Sequence, residues 1–136
     1  MDWTKIKYFS KDENWGDISK IQDDLIYRLD KMREYAGRPF IIHCAYELTG
    51  HSKNSYHKLG MAVDGHFKDI NLIDQFLIAD KFFGDAGIGI YGRDVWNNPG
   101  LHLDIRPYIA RWAYKKGAYI SISNEYFQYL IVNELT

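Results

Sequence analysis

Five histidines carry most of the chemistry open to this chain: His43, His51, His57, His66 and His102. Four of them fall within 24 residues, and the fifth stands in Leu101-His102-Leu103-Asp104. Strand alternation places His102 and Asp104 on one face and Leu101, Leu103 and Ile105 on the other. The same rule sets Asp64 and His66 together, opposite Val63 and Gly65. Imidazole and carboxylate pairs on otherwise apolar strands are costly to bury unless something binds them. A metal ion would do so. A hydrogen-bonded His–Asp network or a solvent-facing sheet surface would also satisfy this spacing. Cys44 is the only cysteine, so there is no internal disulfide and no zinc site built on cysteines. Beside Ile41 and Ile42 it reads as a small buried hydrophobe.

Elements must hold these residues. From Asp17 to Ala36, the residues Ile18, Ile21, Leu25, Leu29, Met32 and Ala36 recur at three- and four-residue steps, which predicts one helix face. Ser19 with Gln22 would form its capping box, or Asp17 its cap, while Gly37 and Pro39 end it. Pro39 to Cys44 reads as a buried strand, and Glu47 to Leu59 as a long polar loop of the kind that often carries function. Met61 to Phe67 reads as a strand, Leu72 to Phe83 as a helix, and Gly87 to Tyr91 and Leu101 to Arg106 as strands. A short helical turn is expected at Arg111-Trp112 after Pro107, then a strand from Ala118 to Ile122. Ser123 caps a last helix running to about Glu134. Strands in runs with helices set aside predict an α+β class with an antiparallel or mixed sheet.

The chain has 136 residues, the size of a single domain over 1–136, with 46% hydrophobic and 26% charged residues. That composition supports a packed core and argues against disorder. A net charge of -1 argues against nucleic acid and against a polybasic membrane-surface role. The aromatic complement of 11 Tyr, 7 Phe and 4 Trp could line a groove, although ring-rich cores are the commoner use. The N-terminus lacks the apolar core of a signal peptide, and no apolar run approaches a membrane span. Gly87-Ile88-Gly89-Ile90-Tyr91-Gly92 has the spelling of a dinucleotide fingerprint, but a loop-like stretch through Pro99 follows where a helix is required.

Ser55-Tyr56-His57-Lys58-Leu59-Gly60-Met61-Ala62-Val63-Asp64 spells S-x-H-x-x-G-x-A-x-D, and His102-Leu103-Asp104 supplies a later H-x-D. Together these resemble the zinc D-Ala-D-Ala carboxypeptidase family. That family includes the vancomycin-resistance dipeptidases, several phage endolysins and murein endopeptidases, and shares its fold with the Hedgehog signalling domain. The closest likeness is to the branch whose strand reads like His102-Leu103-Asp104-Ile105-Arg106, and it extends over about Asp17 to Trp112. The resemblance implies a small, mostly antiparallel sheet with flanking helices.

It also implies one catalytic Zn²⁺ held by His57, Asp64 and His102, a three-ligand set that leaves a fourth position open as catalytic zinc requires. Asp64, not His66, stands in the ligand slot. Ser55 takes the place of a substrate-contacting hydroxyl, and Tyr46 matches the family's aromatic before the loop. Some branches carry an acid three residues before the last His, where this chain has Pro99. The H-x-D branch offers Asp104 instead, either as general base or as the partner that holds a ligand histidine. A departure follows Tyr46. Relatives carry an Arg where this chain has Glu47, and an anion there opposes an oxyanion or a terminal carboxylate. Lys53, Lys58 or Arg106 could substitute.

The function so implied is hydrolysis of amide bonds in peptidoglycan peptides by a D,D- or L,D-carboxypeptidase or endopeptidase. The substrate is a wall peptide, with no nucleic acid or membrane partner. The expected setting is a phage or prophage product, made in the cytoplasm and either released to the cell wall at lysis or carried in a virion. The alternative is a non-catalytic Hedgehog-like metal-binding module serving phage structure or partner binding, which Glu47 favours.

Overall fold

A computed structural model describes residues 1–134. The elements run α1 (Asp23–Ala36), β1 (Phe40–Cys44), β2 (Ala62–Phe67), α2 (Leu72–Phe82), β3 (Gly87–Tyr91), β4 (Gly100–Asp104), β5 (Ala110–Lys115), β6 (Ala118–Ile120) and α3 (Asn124–Glu134). Short 3₁₀ turns lie at Trp3–Lys5, Ile18–Lys20 and Tyr56–Leu59. The six strands form one mixed sheet in the order β1-β2-β4-β3-β5-β6. Every neighbouring pair is antiparallel except β3 and β5. The class is α+β. No helix among the described residues is long and apolar enough to cross a membrane.

Cross-strand register sorts the side chains into two faces. Val63, Leu103 and Ile88 form one row across β2, β4 and β3, and Leu101 and Ile90 stand in a second. These residues are fully buried and join Leu25, Leu29, Met32 and Ala79 in the core under the helices, with α2 packed on β3 and β4 and α1 on α2. The alternate row runs Asp64, His102, Gly89 and Trp112 across β2, β4, β3 and β5. A Cβ at Gly89 would come within 2.5 Å of the Trp112 ring, so glycine there lets the indole lie against the strand. A Cβ at Gly87 would collide with the Asp104 carboxylate. The glycines that mimic a nucleotide motif are therefore the floor of the polar face.

The first helix begins later than its periodicity predicts. Asp17 accepts from Ser19 N–H and caps only the 3₁₀ turn. Gln22 then sits in extended backbone and makes no side-chain cap. Its N–H donates to Gly60 O at 2.9 Å, so tertiary pairing to the loop displaces the capping box and leaves Ile18 and Ile21 outside the helix. Asp23 and Asp24 load the first turn with charge that suits the helix dipole, and Gly37 ends the helix at φ 67°.

The helical turn expected at Arg111-Trp112 is strand β5. Its backbone pairs in parallel with β3, a partner that no local signal announces. Alternation sends Arg111 to the helix side, where it bonds Asp80 and the Phe83, Gly84 and Ala86 carbonyls, while Trp112 faces the polar row.

Candidate metal centre

Asp64 and His102 are direct partners across β2 and β4, so the sheet itself sets two of the three proposed ligands side by side. His57 comes from the 3₁₀ turn before β2. Ser55 Oγ accepts from the His57 backbone N–H at 3.2 Å, which caps that turn. Gly60 closes it at φ 68°, where a side chain would also run into the Lys20 carbonyl. His57 Nε2 lies 3.2 Å and His102 Nδ1 3.1 Å from the same oxygen, Asp64 Oδ1. One ligand atom from each of the three lies within 4.8 Å of the others, so the group could hold a metal ion.

The donor and acceptor inventory is compatible with a bound cation. His57 Nδ1 is 2.7 Å from the Ala45 carbonyl oxygen, which can only accept, so Nδ1 carries the hydrogen. The lone pair of Nε2 is then turned on a carboxylate oxygen. His102 meets carboxylates at both nitrogens, Asp64 Oδ1 and, at 2.8 Å, Asp104 Oδ2. A neutral imidazole has a single N–H, so one contact needs a second proton or a metal ion. Burial opposes the charged ring, but the hydrogen bonds to Asp104 and Asp64 and their charges outweigh it and raise the His102 pKa to about 9. Burial would likewise raise Asp64, yet hydrogen bonds from His102 and His57 hold it well below the usual carboxylate range.

Asp104 lies beneath this layer, 0% exposed. Oδ1 accepts from the Arg106 backbone N–H and Nε, and Oδ2 from His102 Nε2 and Arg106 Nη2. Both oxygens are taken, and Asp104 is not among the residues lining the cleft above. Arg106 does line it. The guanidinium is flanked by the Tyr56, Tyr108 and Trp112 rings at 4.6, 5.5 and 5.0 Å.

That cleft, about 750 Å³, is bounded by His57, Asp64 and His102, by the loop from Gly50 to Tyr56, and by Tyr91, Trp96, Trp112 and Tyr119. Ser55 borders it. Tyr46 does not: it packs against the core, its N–H bonded to Trp15 O. Periodicity could not single out the aromatic wall, because its members come from β3, β5, β6 and two loops. Trp112 in particular faces the cleft only because its segment pairs with β3 as a strand.

The remaining histidines fall into two pairs. A β-bulge between Ile42 and Cys44 brings both His43 and Cys44 to the polar face. His43 Nε2 is 2.7 Å from His66 Nδ1, and burial lowers the pKa of both. Cys44 is half-buried, its Sγ 3.4 Å from Asp64 Oδ2, rather than a core hydrophobe. Burial, then the Asp64 and Glu47 charges, push its thiol pKa far up. Glu47 bonds His51 Nε2 at 2.8 Å, and the His51 ring stacks on His57 with centroids 4.2 Å apart.

The chain matches no family model, no curated protein and no solved structure. What defines the molecule is a mixed-sheet α+β fold with a three-residue group able to hold a metal at the bottom of an aromatic cleft.

Proposed function

We propose that the protein is a zinc-dependent peptidase of Hedgehog/DD-peptidase-like fold that hydrolyses amide bonds in peptidoglycan peptides. One observation carries the reading. His57, Asp64 and His102 converge within 4.8 Å, two of them with the outer nitrogen already bonded to an acceptor, and all three border an open cleft. Ligands on zinc bonds of about 2.0–2.2 Å at tetrahedral angles stand about 3.3–3.6 Å apart, near the 3.2 and 3.1 Å that separate His57 Nε2 and His102 Nδ1 from Asp64 Oδ1. Zinc held there would supply Lewis acidity toward a carbonyl oxygen and an acidified water.

The chain's own groups do the rest. Ala45 O and Asp104 fix which nitrogen of His57 and of His102 faces the ion, as partners of metal-ligating histidines do. Arg106 is the only Lys or Arg among the described residues lining the cleft, and so the cation best placed for a substrate carboxylate or carbonyl oxygen. Tyr91, Trp96 and Trp112 line the same cleft and give it aromatic surface against which a substrate could pack. The test pairs metal analysis with hydrolysis of purified peptidoglycan and identification of the fragments. About one zinc per chain and released peptide, both lost in His57→Ala, are expected. A wild type that binds no zinc when offered it overturns the reading.

A non-catalytic metal-binding module is the second reading, favoured by Glu47, which occupies the slot of the family's Arg and turns to His51 instead of the cleft. Bound zinc with no turnover on any wall substrate would select it.

A further inference from the structure

Cys44, His51 and His57 form a second group whose ligand atoms lie within 4.8 Å of one another. Cys44 and His51 are positioned by contacts that the first group does not require. His51 Nε2 faces Glu47 Oε1, an acceptor, so Nε2 carries the hydrogen and Nδ1 keeps the lone pair. The His51 ring lies nearly parallel to His57, at 16°, which brings the loop imidazole over a residue of the first group. The bulge in β1 turns Cys44 toward the same place. His51 lines the larger cleft and Cys44 a smaller one of about 470 Å³ beside it, and Asp64 and Trp96 border both.

We propose that Cys44, His51 and His57 are an alternative metal position selective for thiophilic divalent ions, and that filling it withdraws His57 from Asp64 and His102. His57 Nδ1 is held by the Ala45 carbonyl, which leaves one lone pair, on Nε2, for both groups. One lone pair serves one ion, so occupancy is exclusive. A thiolate with two imidazoles favours soft ions such as Cd²⁺ over the hard ions that carboxylates suit. On binding, the Cys44 thiol releases its proton to solvent and its sulfur bonds the ion. Glu47 thereby gains a role: it positions His51. The proposal does not depend on the peptidase reading and shares only His57 with it.

The test titrates Cd²⁺ into the metal-free full chain under reducing conditions and reads the ultraviolet thiolate-to-cadmium absorption. Cys44 is the only cysteine, so the band has no other source. Wild type should show it, saturating at one cadmium per chain. Cys44→Ser should lack it, and His102→Ala, which removes a ligand of the first group alone, should keep it. His51→Ala should weaken cadmium affinity by about 10-fold or more, and Glu47→Gln, an exposed loop change that spares the fold, by about 10-fold. In the zinc-loaded protein, cadmium should displace zinc one for one. Cadmium bound without thiolate absorption, affinity unchanged in both His51→Ala and Glu47→Gln, or zinc and cadmium bound together would each overturn the proposal. A chain that binds no zinc yet shows the cadmium band sinks the peptidase reading and leaves this one standing.

Discussion

His102 and Asp104, two residues apart on β4, are joined by a 2.8 Å contact between Nε2 and Oδ2. That contact decides which nitrogen of His102 faces Asp64, and it leaves the Asp104 carboxylate beneath the metal group instead of over the cleft. Asp104 therefore acts on the centre through His102.

Asp104→Asn separates that positioning role from proton transfer. Zinc affinity, measured by competition with a chelator, should fall by about 10–100-fold. Turnover at saturating zinc should stay within about 10-fold. Unchanged affinity with turnover down by about 10²–10⁴-fold is the signature of a general base and would put Asp104 back at the reacting atoms.

Asp64 and His66 share a strand face but have different partners. Asp64 touches His57 and His102, whereas His66 is bonded to His43. Asp64→Ala should abolish tight zinc binding, and His66→Ala should retain it, by metal analysis of the purified variants. The reverse pattern would relocate the centre to the His43–His66 pair.

The raised pKa of His102 makes stability and metal binding depend on pH with opposite signs. Its folded value of about 9 lies above the ordinary 6.5, so the metal-free protein has this stabilisation in full below pH 6.5 and loses it as pH rises through 9. An ion must displace the second proton, so zinc affinity should climb over the same window and level off above it. Melting temperatures of the metal-free protein at the two ends test the first statement, and chelator competition the second. A metal-free melting temperature that rises across the window contradicts the assignment.

Gly60→Ala forces a side chain into left-handed backbone and against the Lys20 carbonyl. The expected loss exceeds about 1 kcal/mol of stability, read by chemical denaturation. Zinc affinity should fall with it, because the same turn presents His57.

Periodicity alone made much of the framework legible. Three- and four-residue spacing marked the body of α1 and of α2, and alternation in Leu101-His102-Leu103-Asp104 set His102 and Asp104 opposite the core, because such patterns are written within a single element. Types and spacing marked the histidines and carboxylates as candidates, and the choice of His57, Asp64 and His102 among them came from the resemblance of the S-x-H-x-x-G-x-A-x-D and H-x-D strings. Only the tertiary structure decided what depends on distant partners. The start of α1 is set by Gly60, the strand character of Trp112 by β3, and the inward turn of Cys44 by a bulge against β2. Burial of Asp104 under Arg106 and stacking of His51 on His57 likewise follow from how separate segments meet. Register and loop closure arise from pairing across the chain, and no local stretch of residues specifies that pairing by itself.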